Sequence, residues 1–546
     1  MNLLKLQMLL IFFAMQTAQC FSSEIRDNWF EGANKKLKPR IAADSSRVYR
    51  MNYKQPFERL IIKFHEGTGI RWRKNSLHIL TKKLQKKSSY KYIARDIRKV
   101  QKILSAHGLV LRRRFTRREY QLDKRKQLAE QRSGNQQADL NLYYAVNFAK
   151  HSSRYPIRSI IYKLNRLRTV EIAFAETPTV STSSQRFSYG FDIQQKTSQK
   201  LVIKPLDTSP LLTGYQNYMD AAPIGLGSSA VWSIYGGRGE GITFMDYDTG
   251  YNPNHEDLPA VTGVPASISK NHGTAVLGII GAKHNGIGLS GMADKVKLRF
   301  KSSSSLDAVD AIEQGLAQLN PGDVFLIETA KKDISIDAKC DDGQENGHLN
   351  SVVFEHFSDG FDVISMAVAI GVNVVETAGN GCVNYDSDYF GYDFDPKIRD
   401  SGAIIVGASS SVRREPLWYS NYGSRVDMHA WGENVASLQY FRDPKNILFN
   451  GGLNRVYGGD FGGTSSAGAI IAGGVAQLQG IAKNANASGR SYDPVVLREL
   501  MVEQSTAQQF SVTNKLIGPM PDIYAVSQII LNNQYCAGQF RCTFRP

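Results

Sequence analysis

Short apolar runs that alternate with helical stretches are the dominant pattern of residues 205–546. The apolar runs predict buried strands at 241–245, 323–327, 372–376 and 403–407. Helical periodicity predicts helices at 273–282, 306–319, 352–370 and 466–482. Buried strands separated by helices are typical of a mostly parallel sheet with helices on both faces. We therefore predict a doubly wound α/β domain whose functional groups lie at the carboxyl ends of its strands.

The preceding part of the chain has a different pattern and predicts a smaller α+β domain. Strands are predicted at 59–64, 109–113 and 170–175, and an amphipathic helix at 93–104. A dense charge run at 112–132 predicts a solvated helix, with a dedicated binding surface as the alternative. Residues 177–204 are rich in Ser, Thr and Gln, which predicts a linker. The predicted organisation is a basic region at 21–200, including this linker, and a larger domain at 205–546.

The first 20 residues have the pattern of a secretory signal peptide. A lysine precedes an apolar run from Leu6 to about Ala18, and small residues lie at Ala18 and Cys20. The run is shorter than the roughly 20 residues that a membrane span needs, although an interfacial anchor or a lipid-modified Cys20 is an alternative. We therefore expect a secreted protein, extracellular or periplasmic, without stable membrane insertion.

Four cysteines remain if the signal peptide is removed, namely Cys340, Cys382, Cys536 and Cys542. An even number of cysteines in an exported chain predicts disulfides, and four cysteines allow three pairings. We favour Cys340 with Cys382 and Cys536 with Cys542, of which the second pair closes a short loop at the C-terminus.

The net charge of +16 conceals two halves of opposite charge. Residues 1–200 contain 41 Lys and Arg against 14 Asp and Glu, a net charge of +27, whereas residues 201–546 contain 25 against 36, a net charge of −11. A basic segment suggests nucleic acid or an acidic membrane surface as a partner. It lacks the regular aromatic spacing of a base-stacking surface, so we expect no nucleic-acid partner. Docking of the basic half on the acidic half is the competing interpretation.

Four polar residues lie at the ends of predicted elements in the larger domain. Two follow strands and two open helices: Asp248, Asn380, His272 and Ser465. Serine-dependent acyl transfer uses these residue types, because it needs a nucleophile, an imidazole, a carboxylate and an oxyanion donor. The glycine-rich turn before Ser465 adds the free N–H groups of a helix start.

The motifs around these residues resemble those of a known family. They are Asp248-Thr249-Gly250, His272-Gly273-Thr274, Ala378-Gly379-Asn380 and Gly463-Thr464-Ser465, with Ser420-Asn421-Tyr422-Gly423 as a further match. In this order, they resemble the subtilisin-like serine peptidases, or subtilases. The resemblance covers roughly residues 215–483 and implies a subtilisin-like fold.

The resemblance also implies roles for these residues. Ser465 is expected to be the acyl-forming nucleophile, His272 the general base and then acid, and Asp248 the residue that holds the imidazole. The Asn380 side chain and the Ser465 backbone N–H are expected to form the oxyanion hole. Asp246, two residues before Asp248 on the same strand face, is the alternative triad acid.

The chain departs from the family pattern at several positions. Ala469 and Ile470 stand where the family usually has Pro and His after the nucleophile, which we expect to alter helix packing and not the chemistry. The substrate-pairing edge normally contains Ser-Leu-Gly, but residues 327–330 here are Ile-Glu-Thr-Ala, so the resemblance does not extend to the specificity subsites at this edge. No motif assigns Glu328 the role of triad acid or any other role. His255 and His284 are expected to be structural or surface histidines.

No cofactor is expected to be required for the chemistry. Asp257 and Asn285 fall where some subtilases bind a structural calcium ion. Two oxygen donors are far fewer than the six to eight that calcium takes. We therefore favour a turn-capping role for this pair and keep a calcium site as the alternative.

The resemblance implies a secreted serine endopeptidase that acts on protein or peptide substrates. Secreted subtilases are commonly made with a propeptide that assists folding, blocks the cleft and is removed by the enzyme itself. Residues 21–200 have the position and pattern of such a propeptide, which would act as an intramolecular inhibitor. The alternatives are a non-catalytic binding protein on a subtilase fold and a basic protein that binds anionic surfaces.

Overall fold

The computed structural model describes residues 37–80, 89–148, 155–181, 208–265, 270–304, 307–336, 338–340, 349–440, 447–485, 489–509 and 514–532. These residues divide into two compact units. The first contains residues 37–48 and Pro56–Glu176, and the second contains Tyr49–Gln55 and the residues from Thr177 onward. Within the described ranges, no helix has both the length and the apolar character needed to cross a membrane.

The first unit is an antiparallel sheet with helices. Its strands are β1 Arg59–Phe64, β2 Ile70–Arg73, β3 Ser76–Ile79, β4 Arg112–Arg113, β5 Tyr143–Asn147 and β6 Val170–Glu176. Its helices are α1 Ser89–Ser105, α2 Glu119–Ser133 and α3 Ile157–Asn165. The main sheet has the order β4-β5-β1-β6, and β2 pairs with β3. Every residue of β1 and of the edge strand β6 is buried, so both strands belong to the core of an α+β fold.

The second unit is built on a six-stranded parallel sheet of order β15-β14-β13-β10-β8-β9. Its strands are β8 Thr243–Asp248, β9 Lys297–Ser302, β10 Val324–Ile327, β13 Asn373–Thr377, β14 Ile404–Ser409 and β15 Met428–Trp431. The helices of this unit are α4 Asn271–Gly281, α5 Ala308–Leu316, α6 Ser358–Ile370, α7 Gly463–Ala485, α8 Pro494–Glu503 and α9 Ile523–Asn532.

Smaller sheets complete the second unit. The strands are β7 Thr179–Ser181, β11 Thr329–Lys332, β12 Ser351–Val352, β16 Val435–Gln439, β17 Ile447–Asn450, β18 Val456–Phe461, β19 Ser505–Thr506 and β20 Met520–Pro521. They form sheets of order β12-β11-β7 and β16-β18-β17 and the pair β19-β20. The antiparallel strand β7 therefore pairs with β11, which begins two residues after β10 ends.

Helix α7 is the centre of the second unit. All of its residues from Gly463 to Ala482 are buried, and it packs against α4, α9 and the strands β10, β13, β14 and β15. A helix that is apolar on every side is stable only inside a protein. The position of its first turn, which contains Ser465, is therefore fixed relative to the sheet.

The structure confirms the predicted fold class, with a parallel sheet flanked by helices and a smaller α+β unit before it. The four strands predicted in residues 205–546 are present with ends shifted by at most three residues. The strand predicted at 109–113 is reduced to β4, and the segment predicted as a linker from 177 contains β7. Helix α7 begins three residues before its predicted start, because Gly463 and Thr464 already belong to its first turn.

Candidate active site

Two strands and two helices bring the predicted residues to one edge of the parallel sheet. Strand β8 ends at Asp248, and Asn380 follows the end of β13 by three residues. His272 is the second residue of α4, and Ser465 is the third residue of α7. The carboxyl ends of parallel strands lie at one edge of a sheet, where functional sites of such folds are found.

Asp248, His272 and Ser465 form one hydrogen-bonded chain. Nδ1 of His272 lies 2.6 Å from Oδ2 of Asp248, and Nε2 of His272 lies 2.9 Å from Oγ of Ser465. All three side chains are buried. The imidazole thus faces a carboxylate on one side and a hydroxyl on the other. In this arrangement the ring can take the hydroxyl proton while the carboxylate stabilises the resulting imidazolium.

The local sequence explains why Asp248 and His272 meet. The second oxygen of Asp248 accepts hydrogen bonds from the N–H and the hydroxyl of Thr249. The Gly273 N–H donates to the Gly250 carbonyl at 3.0 Å, and a Cβ on Gly273 would lie only 2.5 Å from that oxygen. The start of α4 can therefore approach the end of β8 this closely only because His272 is followed by glycine.

Ser465 lies in the first turn of α7, where backbone N–H groups have no helical partner and the helix dipole is positive. Gly463 has φ +86°, a backbone conformation that glycine adopts without steric cost. The hydroxyl of Ser466 donates to the Trp431 carbonyl at 2.9 Å. Ser466 is therefore turned elsewhere, and Ser465 is the hydroxyl presented to the imidazole.

The side-chain amide of Asn380 is oriented by the residue before Ser465. Its Oδ1 accepts hydrogen bonds from the N–H and the hydroxyl of Thr464, both at 2.9 Å. Because the amide oxygen accepts these hydrogen bonds, the orientation of the side chain is fixed, with the NH₂ group as its donor end. A fixed amide donor beside the N–H of a nucleophilic serine is what an oxyanion hole requires.

Asn421 is a positioning residue to which the sequence analysis gave no role. Its Oδ1 accepts hydrogen bonds from the N–H groups of Gly381 and Val383 at 2.9 and 2.8 Å. Its Nδ2 donates to the Ala378 carbonyl at 2.7 Å. These bonds hold the loop on both sides of Asn380. The sequence signal for this role was the motif at 420–423, which gives no indication of what Asn421 contacts.

Cys340 and Cys382 form a disulfide with Cα atoms 5.1 Å apart. This is the pairing that the sequence analysis favoured for these two residues. Cys382 follows Asn380 by two residues, so the bridge adds a covalent restraint to the same loop. The second favoured pairing, Cys536 with Cys542, lies outside the described residues.

Two further carboxyl groups lie beside these residues. Asp246 is on β8 and Glu328 directly follows β10, and neither side chain is exposed. Burial, and then the neighbouring Asp248 carboxylate, raise the pKa of both groups well above the usual range. The His272 ring is hydrogen-bonded to Asp248, which favours Asp248 over Asp246 as the acid of the chain. No sequence motif assigns a role to Glu328, because its place beside Asp248 depends on the pairing of β10 with β8.

The calcium candidates are hydrogen-bonded to each other. Nδ2 of Asn285 donates to Oδ1 of Asp257 at 3.0 Å, and the Leu289 N–H donates to Oδ2 at 2.9 Å. Burial raises the Asp257 pKa to about 7. N–H groups on a carboxylate are the pattern of a capped turn, not of an oxygen-lined calcium site. Among the described residues, no group of three or more His, Cys, Asp or Glu could hold a metal. A calcium ion here stays a prediction.

The other histidines named from the sequence have neighbours of a structural kind. Nε2 of His255 lies 3.0 Å from the Val456 carbonyl oxygen, and Nδ1 of His284 lies 3.0 Å from Oγ of Ser290. Burial lowers the pKa of His255. Neither contact includes Asp248, His272 or Ser465.

The fold and this geometry together define an α/β protein with the site of a serine hydrolase. The model of the Subtilase family matches residues 238–519, about half of the chain. The chain therefore belongs to the subtilase family. The matched range contains all four residues of the predicted site.

Curated relatives agree with this assignment, and a solved structure agrees with the fold. Cerevisin from Saccharomyces cerevisiae is 27% identical over 239 residues, which are 42% of this chain and 34% of the relative. The minor extracellular protease Epr from Bacillus subtilis is 27% identical over 218 residues, which are 37% and 29% of the two chains. The match thus spans about a third of each relative. Fervidolysin from Fervidobacterium pennivorans, described as a keratinolytic enzyme related to subtilisin, aligns with a TM-score of 0.50 and 14% identity over 90% of this chain and 64% of its own.

Proposed function

We propose that this protein is a serine endopeptidase that forms an acyl-enzyme on Ser465. The observation that carries the proposal is the hydrogen-bonded chain from Asp248 through His272 to Ser465, next to the oriented amide of Asn380. Membership of the subtilase family supports it. Proteins or peptides are the proposed substrates.

In the proposed reaction, His272 takes the Ser465 proton while Oγ attacks the carbonyl carbon of the scissile bond. The Asn380 amide and the Ser465 N–H stabilise the negative charge on the carbonyl oxygen. The imidazolium, held by Asp248, then gives its proton to the leaving amine, and the C–N bond breaks. A water molecule that loses a proton to His272 attacks the ester. Release of the carboxylic acid returns the proton to Ser465. All these groups belong to the chain, and we propose that the reaction uses no cofactor.

A fluorophosphonate probe tests this assignment. We expect the probe to label Ser465, since it reacts with hydroxyls that an adjacent base activates. The Ser465→Ala variant should lose all labelling, and the matched control Ser466→Ala should keep it. The label can be located by mass spectrometry of tryptic peptides. An unlabelled wild-type protein with an intact fold would contradict the proposal and favour a non-catalytic binding protein.

We also propose that the protein is exported and that the basic first unit is a propeptide removed by the enzyme itself. The pattern of residues 1–20, which lie outside the described ranges, supports export. The pairing of β7 with β11 supports self-processing, because Ser181 lies opposite Thr329, the residue after Glu328. Glu328 lies under the helix turn that carries Ser465, since a Cβ on Gly468, three residues after Ser465, would lie 3.6 Å from Oε1 of Glu328. A chain that continues from β7 along β11 in this register would approach Glu328 and then Ser465. We therefore propose that the cut lies on the C-terminal side of Ser181.

Opposite charge is the proposed reason why the first unit binds the second, and salt tests it. We expect residues 21–181, added to the matured enzyme, to inhibit with a constant that rises roughly tenfold between low and high salt, because screening slows charge-assisted association. Inhibition constants come from initial rates on a neutral peptide substrate. A neutral peptide aldehyde is the control, since its inhibition should change little. Equal constants for the basic fragment at both salt concentrations would refute the charge-driven docking.

A further inference from the structure

Three carboxyl groups meet below the nucleophile. Asp246 and Asp248 are two residues apart on β8, so both project from the same face of the strand. Strand β10 runs parallel to β8, and the N–H of Glu328 donates to the Tyr247 carbonyl at 3.1 Å. This register places Glu328 beside the two aspartates. All three side chains are fully buried.

Helix α7 packs closely on Thr377 of β13 and contacts the Glu328 side chain at Gly468. Gly468 lies three residues after Ser465, on the same side of the helix. A Cβ at Gly468 would lie 3.6 Å from Oε1 of Glu328 and only 2.6 Å from Cγ2 of Thr377. No side chain can therefore occupy this position without displacing its neighbours. The Glu328 carboxyl therefore lies under the first turns of α7, which carry Ser465, and beside Asp248 at the end of β8.

The neighbours of Glu328 favour a carboxyl group that keeps its proton. The titratable groups that interact with it are Asp248 and Asp246, both on β8. Helix α7 presents the Ser465 hydroxyl, and β13 presents Thr377, which does not titrate. Asp248 has donors, namely His272 and Thr249. Within the described part of the chain, both Asp246 oxygens lack a hydrogen-bond partner. Burial beside like charge favours the neutral acid, so Glu328 and Asp246 hold protons.

We propose that Glu328 is a positioning residue whose neutral carboxyl directs the Ser465 hydroxyl toward His272, and that its ionisation ends activity on the alkaline side. The proposal rests on the serine peptidase function proposed above. A neutral carboxyl donates its O–H to the Ser465 oxygen, which leaves the serine proton directed at Nε2 of His272. A carboxylate only accepts hydrogen bonds, so it competes with His272 for the serine proton. Its charge also opposes the oxyanion that forms on the substrate.

Glu328→Gln tests the proposal, because the amide resembles the neutral acid in shape and cannot ionise. We expect the two proteins to have similar kcat/KM values at pH 6. We call the pH above which kcat/KM begins to fall the alkaline limit. Above this pH, the wild type should lose about tenfold in kcat/KM per pH unit, the slope of a single ionisation. The Gln variant should retain its activity there. The measurement is kcat/KM on a neutral peptide substrate from pH 5 to 11.

Glu376→Gln is the matched control. Glu376 is also a buried glutamate, on β13, and burial together with Glu355 raises its pKa to about 8. Its Oε2 accepts a hydrogen bond from the Phe354 N–H at 2.9 Å, which Gln can also accept. It has no role in the proposed site. We expect the alkaline limit of this variant to equal that of the wild type.

The outcomes separate failure of the proposal from failure of the proposed function. Superimposed alkaline limits for wild type and Glu328→Gln would overturn the role of Glu328, as would a wild type active without decline to pH 11. Absence of both hydrolysis and fluorophosphonate labelling in the folded wild type would overturn both proposals. If the Gln variant fails to fold, as judged by circular dichroism, Glu328→Ser replaces it. That small neutral side chain should likewise extend activity to higher pH.

Discussion

The Ser465→Ala variant is expected to retain the N-terminal third of the chain, whereas the wild type is expected to lose it. The reason is that self-processing needs the Ser465 oxygen as nucleophile, and Oγ lies 2.9 Å from the base that would activate it. The neighbouring Ser466 cannot replace it, since its hydroxyl is bonded to the Trp431 carbonyl. Intact mass and N-terminal sequencing of the two purified proteins measure the difference.

The same variant is expected to lose peptide hydrolysis on the order of a million-fold in kcat, the loss known for triad serines of this family. To separate chemistry from maturation, the variant precursor can be cut in trans by a trace of wild-type enzyme and then purified. Ser466→Ala should mature and hydrolyse peptides as the wild type does. If the wild type and Ser465→Ala both keep the N-terminal third, self-processing is refuted. A basic first unit that stays attached would then favour the anionic-surface-binding alternative.

Asp248→Asn is expected to lower kcat by about ten thousand-fold. The Asp248 carboxylate accepts the proton on Nδ1 of His272 at 2.6 Å and thereby leaves Nε2 free to accept the Ser465 proton. An amide can donate to Nδ1 and stabilise the opposite tautomer, in which Nε2 carries the proton and is no longer a base. Steady-state kinetics at saturating substrate measure the loss.

Asp246→Asn is the matched control for this prediction. Asp246 is equally buried and lies on the same strand face, but the hydrogen bond to the imidazole comes from Asp248. We expect a much smaller loss in this variant, because a neutral acid is replaced by a neutral amide. The opposite ranking of the two variants would make Asp246 the triad acid, which is the alternative that the sequence left open.

The strongest sequence predictions concern elements with an unambiguous local pattern. The run RLIIKF predicts a strand and is β1 without any shift, because it is short and contains two adjacent isoleucines and a phenylalanine, which favour strands. The element ends that carry Asp248, His272, Asn380 and Ser465 were also predicted, since glycine-containing motifs interrupt the apolar runs there.

Strands β9 and β5 were not predicted, because pairing with adjacent strands determines them and their own sequences lack a clear strand pattern. Strand β9, with the sequence KLRFKS, lies at the edge of the parallel sheet and keeps polar residues on its partly exposed side. Strand β5 lies inside the first sheet, but its sequence YYAVN has no alternation. In both cases the hydrogen bonds of adjacent strands, and not the local pattern, determine the structure.

The sequence by itself determined the family, the parallel α/β fold and the residues of the candidate triad, since these depend on short motifs and on apolar runs that any reader of the chain can locate. Only the tertiary structure decided which acid meets His272, how Asn421 holds the loop of Asn380, and that Glu328 lies under Ser465. Each of these contacts joins residues far apart in the chain. Their distances depend on strand register and on the close approach of α7 at Gly468, and local sequence patterns do not encode either.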